Sequence, residues 1–383
     1  MRRFWLVSVS LAAFMSPAAD AVADEVIATT ARPTPVSAHA GRIVWSAYDP
    51  AQRAFFLAQR FDGVTSRVPV RPRSVPFDAD LGPDVNGETI AAYSRCAREP
   101  RPRSPRIGNV IAQMPDWSSG RGCDLYRFDF ATGRETRIAT ANSPGASEFL
   151  PSVWKATVAF ARVYERKRGL RGERAYLYAR PIAGAGRSRR LIAGSRSDLR
   201  FCTAVRPRRC TLIVEPGPTA LDLFGRRLAF GWDSGANESP TSAVYLETLR
   251  ARRVERRRLD RVDSGDIQAA ELLSPQVDQD ARVVWGRALF GDSRLSQVRR
   301  YAISSRKLEV AALQPIPGQA LIRTALATAV DRNDVIYLAS GLNVPGEPCT
   351  PQDPCAFDPG CADDQPCELR RASPIVFGPP PRE

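Results

Sequence analysis

One short pattern recurs along this chain and restricts the folds that it can adopt. It is an apolar segment of about three residues that ends in a large aromatic residue and usually follows a polar or glycine-containing turn. The six copies are Ile43–Trp45, Ile90–Tyr93, Val158–Phe160, Leu228–Phe230, Val283–Trp285 and Val335–Tyr337. Their aromatic residues span positions 45 to 337 in five intervals, a mean spacing of about 58 residues. Fixed recurrence of this kind predicts a repeat architecture.

A hairpin follows most of these segments, and its clearest copy is Cys123–Ile138. Tyr126, Phe128 and Phe130 alternate with other side chains, which predicts a strand with one better-buried face. Gly133 can take the positive φ of a tight turn, and a polar second strand follows it. Related hairpins start near Phe55, Tyr176, Val244 and Val298, and short apolar or proline-containing segments precede the triplets, as in Phe149–Val153, Thr219–Leu223 and Leu272–Val277.

Together these segments predict four short strands in each of six units, which is typical of a β-propeller. The predicted fold is therefore all-β, a six-bladed β-propeller of four-stranded antiparallel blades. The predicted blades are residues 33–70, 77–140, 148–193, 214–260, 272–313 and 321–378, within one domain of residues 24–383. The alternative is a pair of β-sandwich domains. Blades usually span about 40–50 residues, and the excess lies in insertions such as Arg98–Gly122 and Glu165–Glu173.

The last unit and the closure of the ring are special cases. An insertion, residues 342–367, separates the strand of Tyr337 from Glu368–Arg370 and Ile375–Phe377, which are predicted to complete the blade. Val26–Thr30 is predicted to add a further strand there and so to tie the two termini together.

The later part of each unit resembles the WD40-like, TolB-type propeller repeat of secreted bacterial proteins. The matching segments are Val158–Phe160, Leu228–Phe230, Asp124–Tyr126 and Ala131–Arg134. The Ser-Pro-Asp-Gly turn of that repeat has only partial counterparts, Pro83–Gly87 and Ser274–Asp280. The resemblance covers most of residues 33 to 340 and implies the fold, not an activity.

The N-terminus predicts export. Arg2 and Arg3 precede an apolar run from Phe4 to Met15, and Ala21–Ala23 forms an A-x-A cleavage site. A run of 12 residues is too short to span a membrane, which takes about 20, so residues 1–23 are predicted to be a cleaved signal peptide. We expect a secreted, extracytoplasmic monomer without a membrane span.

The charge balance leaves the partner open. The chain carries a net charge of +14 at pH 7, and Lys155, Lys167 and Lys307 are its only lysines among 55 basic residues. Such a charge can favour an anionic envelope polymer, whereas arginines spread along the whole chain are also what a GC-rich coding sequence produces. Arg250–Arg261 contains seven arginines with few aromatic residues between them, which disfavours nucleic acid and favours a charged outer strand.

Eight cysteines behind a signal peptide predict disulfides. If Tyr93 and Tyr126 lie on neighbouring antiparallel strands, Cys96 and Cys123 meet at the base of the insertion. Cys202 and Cys210 flank a short turn and are predicted to pair locally. Cys349, Cys355, Cys361 and Cys367 can pair either as 349–367 with 355–361 or as 349–355 with 361–367.

The last insertion is also the most acidic part of the chain. Its carboxylates are Glu347, Asp353, Asp358, Asp363 and Asp364, with Glu368 just beyond. Oxygen ligands of this kind suit Ca²⁺, but they lack EF-hand spacing, and solvated side chains explain them more simply. The cysteine spacing does not fit structural zinc, so the sequence predicts no metal and no cofactor, with Ca²⁺ as the alternative.

The sequence disfavours most enzyme classes. His39 is the only histidine, and neither a G-x-S-x-G elbow nor clear sialidase boxes occur. A pair of carboxylates acting on glycans remains possible, because such pairing is spatial. Its candidates are Asp80, Asp84, Asp222, Asp278 and Asp331, whose simpler role is to bond turn backbones. We therefore expect no catalytic residue and a binding scaffold for a protein or polymer, with the ligand at one end of the channel; the alternative is a glycan hydrolase or lyase.

Overall fold

The structure is a computed structural model, and it describes most of the chain outside the N-terminus and several loops. The described residues are 25–102, 114–164, 175–184, 189–193, 201–202, 210–211, 217–236, 239–249, 254–263, 269–290, 297–312, 322–332, 334–342, 361, 366–372 and 377–380. The predicted signal peptide and Cys349 and Cys355 lie outside them.

Strands make up nearly all of the regular structure in these ranges. In chain order they are β1 Glu25–Thr30, β2 Val36–His39, β3 Arg42–Asp49, β4 Ala54–Phe61, β5 Val64–Arg67, β6 Asp80–Pro83, β7 Thr89–Arg95, β8 Arg101–Pro102, β9 Pro115–Asp116, β10 Asp124–Asp129, β11 Arg134–Arg137, β12 Ala146–Trp154, β13 Thr157–Tyr164, β14 Tyr176–Pro181, β15 Arg189–Ala193, β16 Phe201–Cys202, β17 Cys210–Thr211, β18 Gly217–Phe224, β19 Arg227–Ala236, β20 Ser239–Leu249, β21 Val254–Asp263, β22 Ala269–Val277, β23 Arg282–Phe290, β24 Gln297–Ala302, β25 Lys307–Ala312, β26 Ile322–Asp331, β27 Asp334–Leu342 and β28 Cys367–Ala372. A short 3₁₀ helix, Trp117–Ser119, follows β9.

Six four-stranded antiparallel sheets form a closed ring. From the inside outwards their orders are β2-β3-β4-β5, β6-β7-β10-β11, β12-β13-β14-β15, β18-β19-β20-β21, β22-β23-β24-β25 and β26-β27-β28-β1. Each innermost strand contacts the innermost strands of both neighbouring sheets, and β26 contacts β2. This arrangement is a six-bladed β-propeller, which confirms the predicted fold class and excludes the pair of sandwiches.

The ring is closed by the N-terminal strand. β1 pairs with β28 and takes the outermost place in the sixth blade, as predicted for Val26–Thr30. Ile375–Phe377, which is predicted to complete that blade, lies largely outside the described residues, and in the described sheet β1 is the fourth strand. Gly378 instead pairs with Val310 at the outer edge of the fifth blade.

The core lies between adjacent blades. All six aromatic residues of the repeated segment stand on the second strand of a blade, and each is at most 3% exposed. Phe77 and Tyr93, for example, meet edge to face with ring centroids 5.5 Å apart in the cluster that joins the first two blades. The recurrence of the aromatic residue is therefore a packing requirement, since each blade buries both faces against its neighbours.

The hairpin Cys123–Ile138 forms the outer half of the second blade. Tyr126 on β10 lies directly opposite Tyr93 on β7, and a disulfide joins Cys96 to Cys123 beyond the ends of the paired strands. The two faces of strand β10 differ less in burial than the alternation predicts, because Leu125 is fully buried on the opposite face from Tyr126. A blade packed on both sides buries side chains of either parity.

Candidate functional site

Six equivalent positions on the innermost strands surround the central channel. Each lies opposite the residue that precedes the aromatic residue of the second strand. They are Ser37, Asp80, Ser152, Asp222, Gln276 and Ala329, and we call them the channel girdle. All six are less than one tenth exposed.

The first four girdle side chains link each blade to the next. Each accepts a hydrogen bond from the backbone N–H that directly follows the girdle position of the next blade. The donors are Leu81 N to Ser37 Oγ at 2.9 Å, Val153 N to Asp80 Oδ2 at 3.2 Å, Leu223 N to Ser152 Oγ at 2.7 Å, and Val277 N to Asp222 Oδ2. In the described sheets these strands are the edge strands on the channel side, so the bonds satisfy buried donors and hold the ring together.

Asp80 is the most heavily bonded member of the girdle. Ser37 Oγ donates to its Oδ1 at 2.9 Å, and Ser152 Oγ donates to its Oδ2 at 2.7 Å. Burial still raises the pKa of the Asp80 carboxyl to about 6, although these hydrogen bonds lower it in part. Asp80 is thus a carboxyl group held in place by three blades and able to change its protonation near neutral pH.

Asp222 lies at the same level of the channel, two blades further round. Burial raises its pKa well above the ordinary value, and the negative charge of Asp80 raises it further. Within the part of the chain that the structure describes, neither carboxylate has an ion pair with a basic side chain. The two groups therefore form an electrostatically coupled pair, and the described residues give it no counter-charge.

The regular linkage stops at the last two girdle positions. Among the described residues, the amide of Gln276 has no hydrogen-bond partner, and Ala329 has no polar side chain to offer. Between the fifth and sixth blades Thr328 Oγ1 instead donates to Ser274 O at 2.8 Å. The Gln276 amide is left facing a cavity.

That cavity lies at one end of the channel and has a volume of about 60 Å³. Residues of all six innermost strands or of the segments leading into them line it. Among them are Val36, Asp80, Leu150, Leu221, Leu273 and Leu326. The lining is mainly apolar, with Asp78, Asp80, Thr219, Ser274 and Gln276 as its polar side chains.

Repeated β-bulges shape the cavity. One extra residue interrupts the pairing of β12, β18, β22 and β26 with the second strand of the same blade, each time near the cavity. Leu150 and Ser274 take positive φ values of 49° and 44° in two of these bulges. Bulges turn side chains out of the regular alternation, and here they direct Leu150 and its counterparts towards the channel mouth.

An insertion from the second blade supplies one wall. Met114, Pro115 and Trp117 line the cavity, and Trp117 packs in the cluster that joins the third and fourth blades. The disulfide lies directly against this wall: a Cβ on Gly120 would come within 2.8 Å of Cys123 Sγ and 3.2 Å of Cys96 Sγ. The Cys96–Cys123 bond therefore fixes the base of the segment that carries Trp117.

The other three predicted carboxylates bond turn backbones. Asp84 accepts from Glu88 N at 2.9 Å, Asp278 accepts from Arg282 N at 2.8 Å, and Asp331 accepts from Gly41 N at 2.7 Å. Burial raises the pKa of Asp278, and Arg282 partly opposes this effect. The structure brings Asp80 and Asp222 into one girdle and leaves these three in the turns that the simpler interpretation assigned to them.

The remaining sequence features lie away from the cavity. β21 is the outermost strand of the fourth blade, as predicted, and Arg256 and Arg261 form ion pairs with Glu247 and Asp263. His39 lies edge to face against Trp154, and burial lowers its pKa. Arg250–Arg253 lie outside the described residues.

Two of the predicted disulfides can be assigned. The Cys96–Cys123 bond is present, and Cys361 bonds to Cys367, which agrees with the sequential pairing and not with the nested one. The backbones of Cys202 and Cys210 pair opposite each other, and their disulfide stays a prediction. Of the acidic insertion only the end is described, where Glu368 pairs with Arg370, and the described residues contain no cluster suited to a metal ion.

Sequence reasoning missed Gln276, Trp117 and the serines of the girdle. A signal was available for part of the set, since Ser37, Ser152 and Asp222 each precede the aromatic residue of their repeat by eight positions. Gln276 and Asp80 do not show this spacing of eight, because in their blades the turn between the first and second strands is longer.

Comparison with known proteins leaves the activity open. No family model and no curated protein sequence matches the chain. Its structure is similar to that of a protein of unknown function from Dyadobacter fermentans, with 12% identity, a TM-score of 0.45, and coverage of 93% of this chain and 98% of that one. It is also similar to the β-propeller domain of the trilobed protease from Pyrococcus furiosus, with 9% identity, a TM-score of 0.41, and coverage of 83% and 82%.

A third similar structure is that of the GH93 α-L-arabinofuranosidase of Fusarium graminearum, with 8% identity, a TM-score of 0.42, and coverage of 87% and 89%. By its own sheet topology the chain is a six-bladed β-propeller, a class that includes both binding proteins and enzymes. In the described residues, no helix is long and apolar enough to cross a membrane.

Proposed function

We propose that this chain is a secreted binding protein whose ligand enters the cavity at the mouth of the central channel. The observation that carries the proposal is the cavity itself, where the six blades converge with a wall fixed by a disulfide. Ligand sites are concave, mostly apolar and provided with a few placed polar groups. The bulged strands shape the concave site, Trp117 adds to its apolar lining, and the girdle supplies the placed polar groups.

Two further observations support export. Cys96–Cys123 and Cys361–Cys367 are disulfides, which persist in oxidising compartments. The N-terminal sequence carries the features of a signal peptide. We propose that the mature protein acts outside the cytoplasm as a binding scaffold for an envelope protein or polymer.

Capture of a ligand by a cavity-filled variant tests the proposal. Ala220 lines the cavity, so the Ala220→Trp substitution places an indole in it. Ala131→Trp adds the same side chain at the exposed tip of the β10–β11 hairpin and is the matched control. The oxidised mature proteins are immobilised, exposed to an envelope extract of the source cells and washed at about 50 and 200 mM salt.

We expect at least one component that the wild type and Ala131→Trp retain and that Ala220→Trp loses, with thermal unfolding showing that all three proteins are folded. If Ala220→Trp retains every captured component, the cavity is not the binding site and the proposal is wrong. A steep loss at the higher salt would indicate an anionic polymer held by surface arginines instead.

The coupling of Asp80 and Asp222 favours a second candidate, a hydrolase or lyase that acts on glycans with this carboxyl pair. Against it, both oxygens of Asp80 already accept hydrogen bonds from neighbouring blades. A glycan panel assayed for turnover decides between the two: turnover that Asp80→Asn abolishes would replace the binding proposal with the enzymatic one.

A further inference from the structure

We infer that the floor of the cavity binds the primary ammonium group of an otherwise apolar ligand, a lysine-like alkylammonium. The inference rests on the proposed binding function and specifies the chemistry of its ligand. It follows from an imbalance of charge, from unused hydrogen-bond acceptors and from the apolar walls above them.

The imbalance of charge concerns four of the buried carboxylates on the channel strands and the segments beside them: Asp78, Asp80, Asp222 and Asp278. Two of them have counter-charges within the fold, since Asp78 lies 3.4 Å from Arg73 and Asp278 lies 2.5 Å from Arg282. Asp80 and Asp222 have none among the described residues, and the charges of Asp80 and Asp278 both act on Asp222. A buried pair of carboxylates that lacks a cation is unfavourable, and a bound cation removes this cost.

The unused acceptors line the same cavity as Asp80, and one of them, Gln276, directly precedes Val277, whose N–H donates to Asp222. Gln276 is 8% exposed, lines the cavity and, in the described ranges, has no hydrogen-bond partner for its amide. Thr219 Oγ1 also lines it as a buried atom without a partner. Burying the Thr219 hydroxyl without a partner is costly, so a ligand that donates a hydrogen bond to it stabilises this end of the channel.

The shape of the donor follows from these acceptors. An ammonium group is compact and carries three donors, which suits carboxylate, amide and hydroxyl oxygens arranged around a channel. The groups above it are apolar, with Leu150, Leu273, Leu326 and the ring of Trp117. Such walls pack against a chain of methylene groups, and an aromatic face adds attraction for a nearby cation.

The test compares two probes of equal length, n-hexylammonium chloride and n-hexanol, by calorimetric titration. We expect the wild type to bind hexylammonium at least about tenfold more tightly than hexanol, since hydrogen bonds to charged groups are the stronger ones. Asp222→Asn keeps an oxygen for Val277 N and cannot take on a negative charge when a cation binds. It should weaken hexylammonium binding about tenfold and leave hexanol binding unchanged.

Asp331→Asn is the matched control, because it removes a carboxylate that bonds the Gly41 turn. It should change neither affinity. Equal affinity of the wild type for the two probes, or an equal loss of both probes in Asp222→Asn, would overturn the inference. Thermal unfolding checks that each variant is folded.

A proton balance gives an independent readout. Because the pKa of Asp80 is about 6, an ammonium group that binds at pH 6 should displace a fraction of a proton into solution. Titrations in two buffers of different ionisation enthalpy measure this release. Hexylammonium should release protons and hexanol should not; equal proton release for both probes contradicts the inference.

Two sources of the ligand are distinguished with peptides. An acetylated, amidated peptide with one lysine is compared with the same peptide carrying norleucine. Lysine-dependent binding that Asp222→Asn weakens identifies a protein-borne side chain, whereas binding of hexylammonium alone identifies a free amine. If hexanol binds and Ala220→Trp abolishes that binding while the ammonium group adds nothing, the inference fails and the proposed cavity function stands.

Discussion

The protonation of Asp80 gives the sharpest test of the girdle. Burial raises its pKa from 3.8 to about 6 in the folded protein. Below about pH 4 the carboxyl is neutral in both the folded and the unfolded states and costs nothing. As the pH rises from about 4 to 6, the unfolded state gives up its proton first, so stability falls over this window and stays lower above it.

The size of the effect follows from the shift in pKa. Each unit of difference between the two states corresponds to about 1.4 kcal/mol, so ionisation of Asp80 costs about 3 kcal/mol of folding free energy at pH 7. Asp80→Asn removes this cost and keeps the bonds, because its oxygen can accept from Val153 N while its nitrogen donates to Ser37 Oγ.

The assay is urea unfolding at pH 4, 5, 6 and 7. We expect Asp80→Asn and the wild type to be similarly stable near pH 4, and the variant to be about 3 kcal/mol more stable at pH 7. Burial also raises the pKa of Glu148 to about 7, but that contribution is common to both proteins and cancels in the difference. Parallel pH profiles, or a variant that is less stable at pH 7, would refute the reasoning.

Three further predictions concern the scaffold. Replacing Cys96 and Cys123 by serine opens a loop with a sequence separation of 27 and should lower the free energy of unfolding by about 3 kcal/mol, measured by urea unfolding; an unchanged midpoint contradicts a stapling role. Trp285→Ala removes a fully buried indole and should cost about 3–5 kcal/mol in the same assay, whereas a cost under about 1 kcal/mol would show that the site is loosely packed. Gly82→Ala places a Cβ 2.0 Å from the carbonyl oxygen of Val153, so it should destabilise the contact of the second and third blades by about 3 kcal/mol or more; a wild-type melting temperature would refute that close approach.

Glu148, which lies beside the channel, differs from the girdle carboxylates in having a basic partner. Glu148 is fully buried and pairs with Arg162 at 2.7 Å, and Arg162 also donates to Ala141 O at 2.6 Å. The charge of this glutamate is thus balanced inside the fold. Asp80 and Asp222 differ because their hydrogen-bond partners are neutral hydroxyl and backbone N–H groups. A cationic ligand in the channel would therefore balance their charge.

The second blade shows which structural features can be predicted from local sequence. Alternation and Gly133 define its outer hairpin, and the spacing of Tyr93, Tyr126 and the two cysteines defines its disulfide. These features depend on neighbours within one antiparallel sheet, where register is set by turn length and side-chain period. The outer place in the sixth blade depends instead on a long-range pairing, because β1 comes from the other end of the chain.

By itself, the sequence determined the repeating unit, the number of blades, the strand that closes the ring and the cysteine pair of the second blade, because each follows from period-2 patterning and short-range turns. Only the tertiary structure decided the site. The girdle side chains at 37, 80, 152 and 222 link successive blades through hydrogen bonds, and the bulges and the Trp117 segment meet at the mouth of the channel. Which carboxylates lack a counter-charge depends on burial and on neighbours far away in the chain, and these arise only when six separate sheets are packed around one channel.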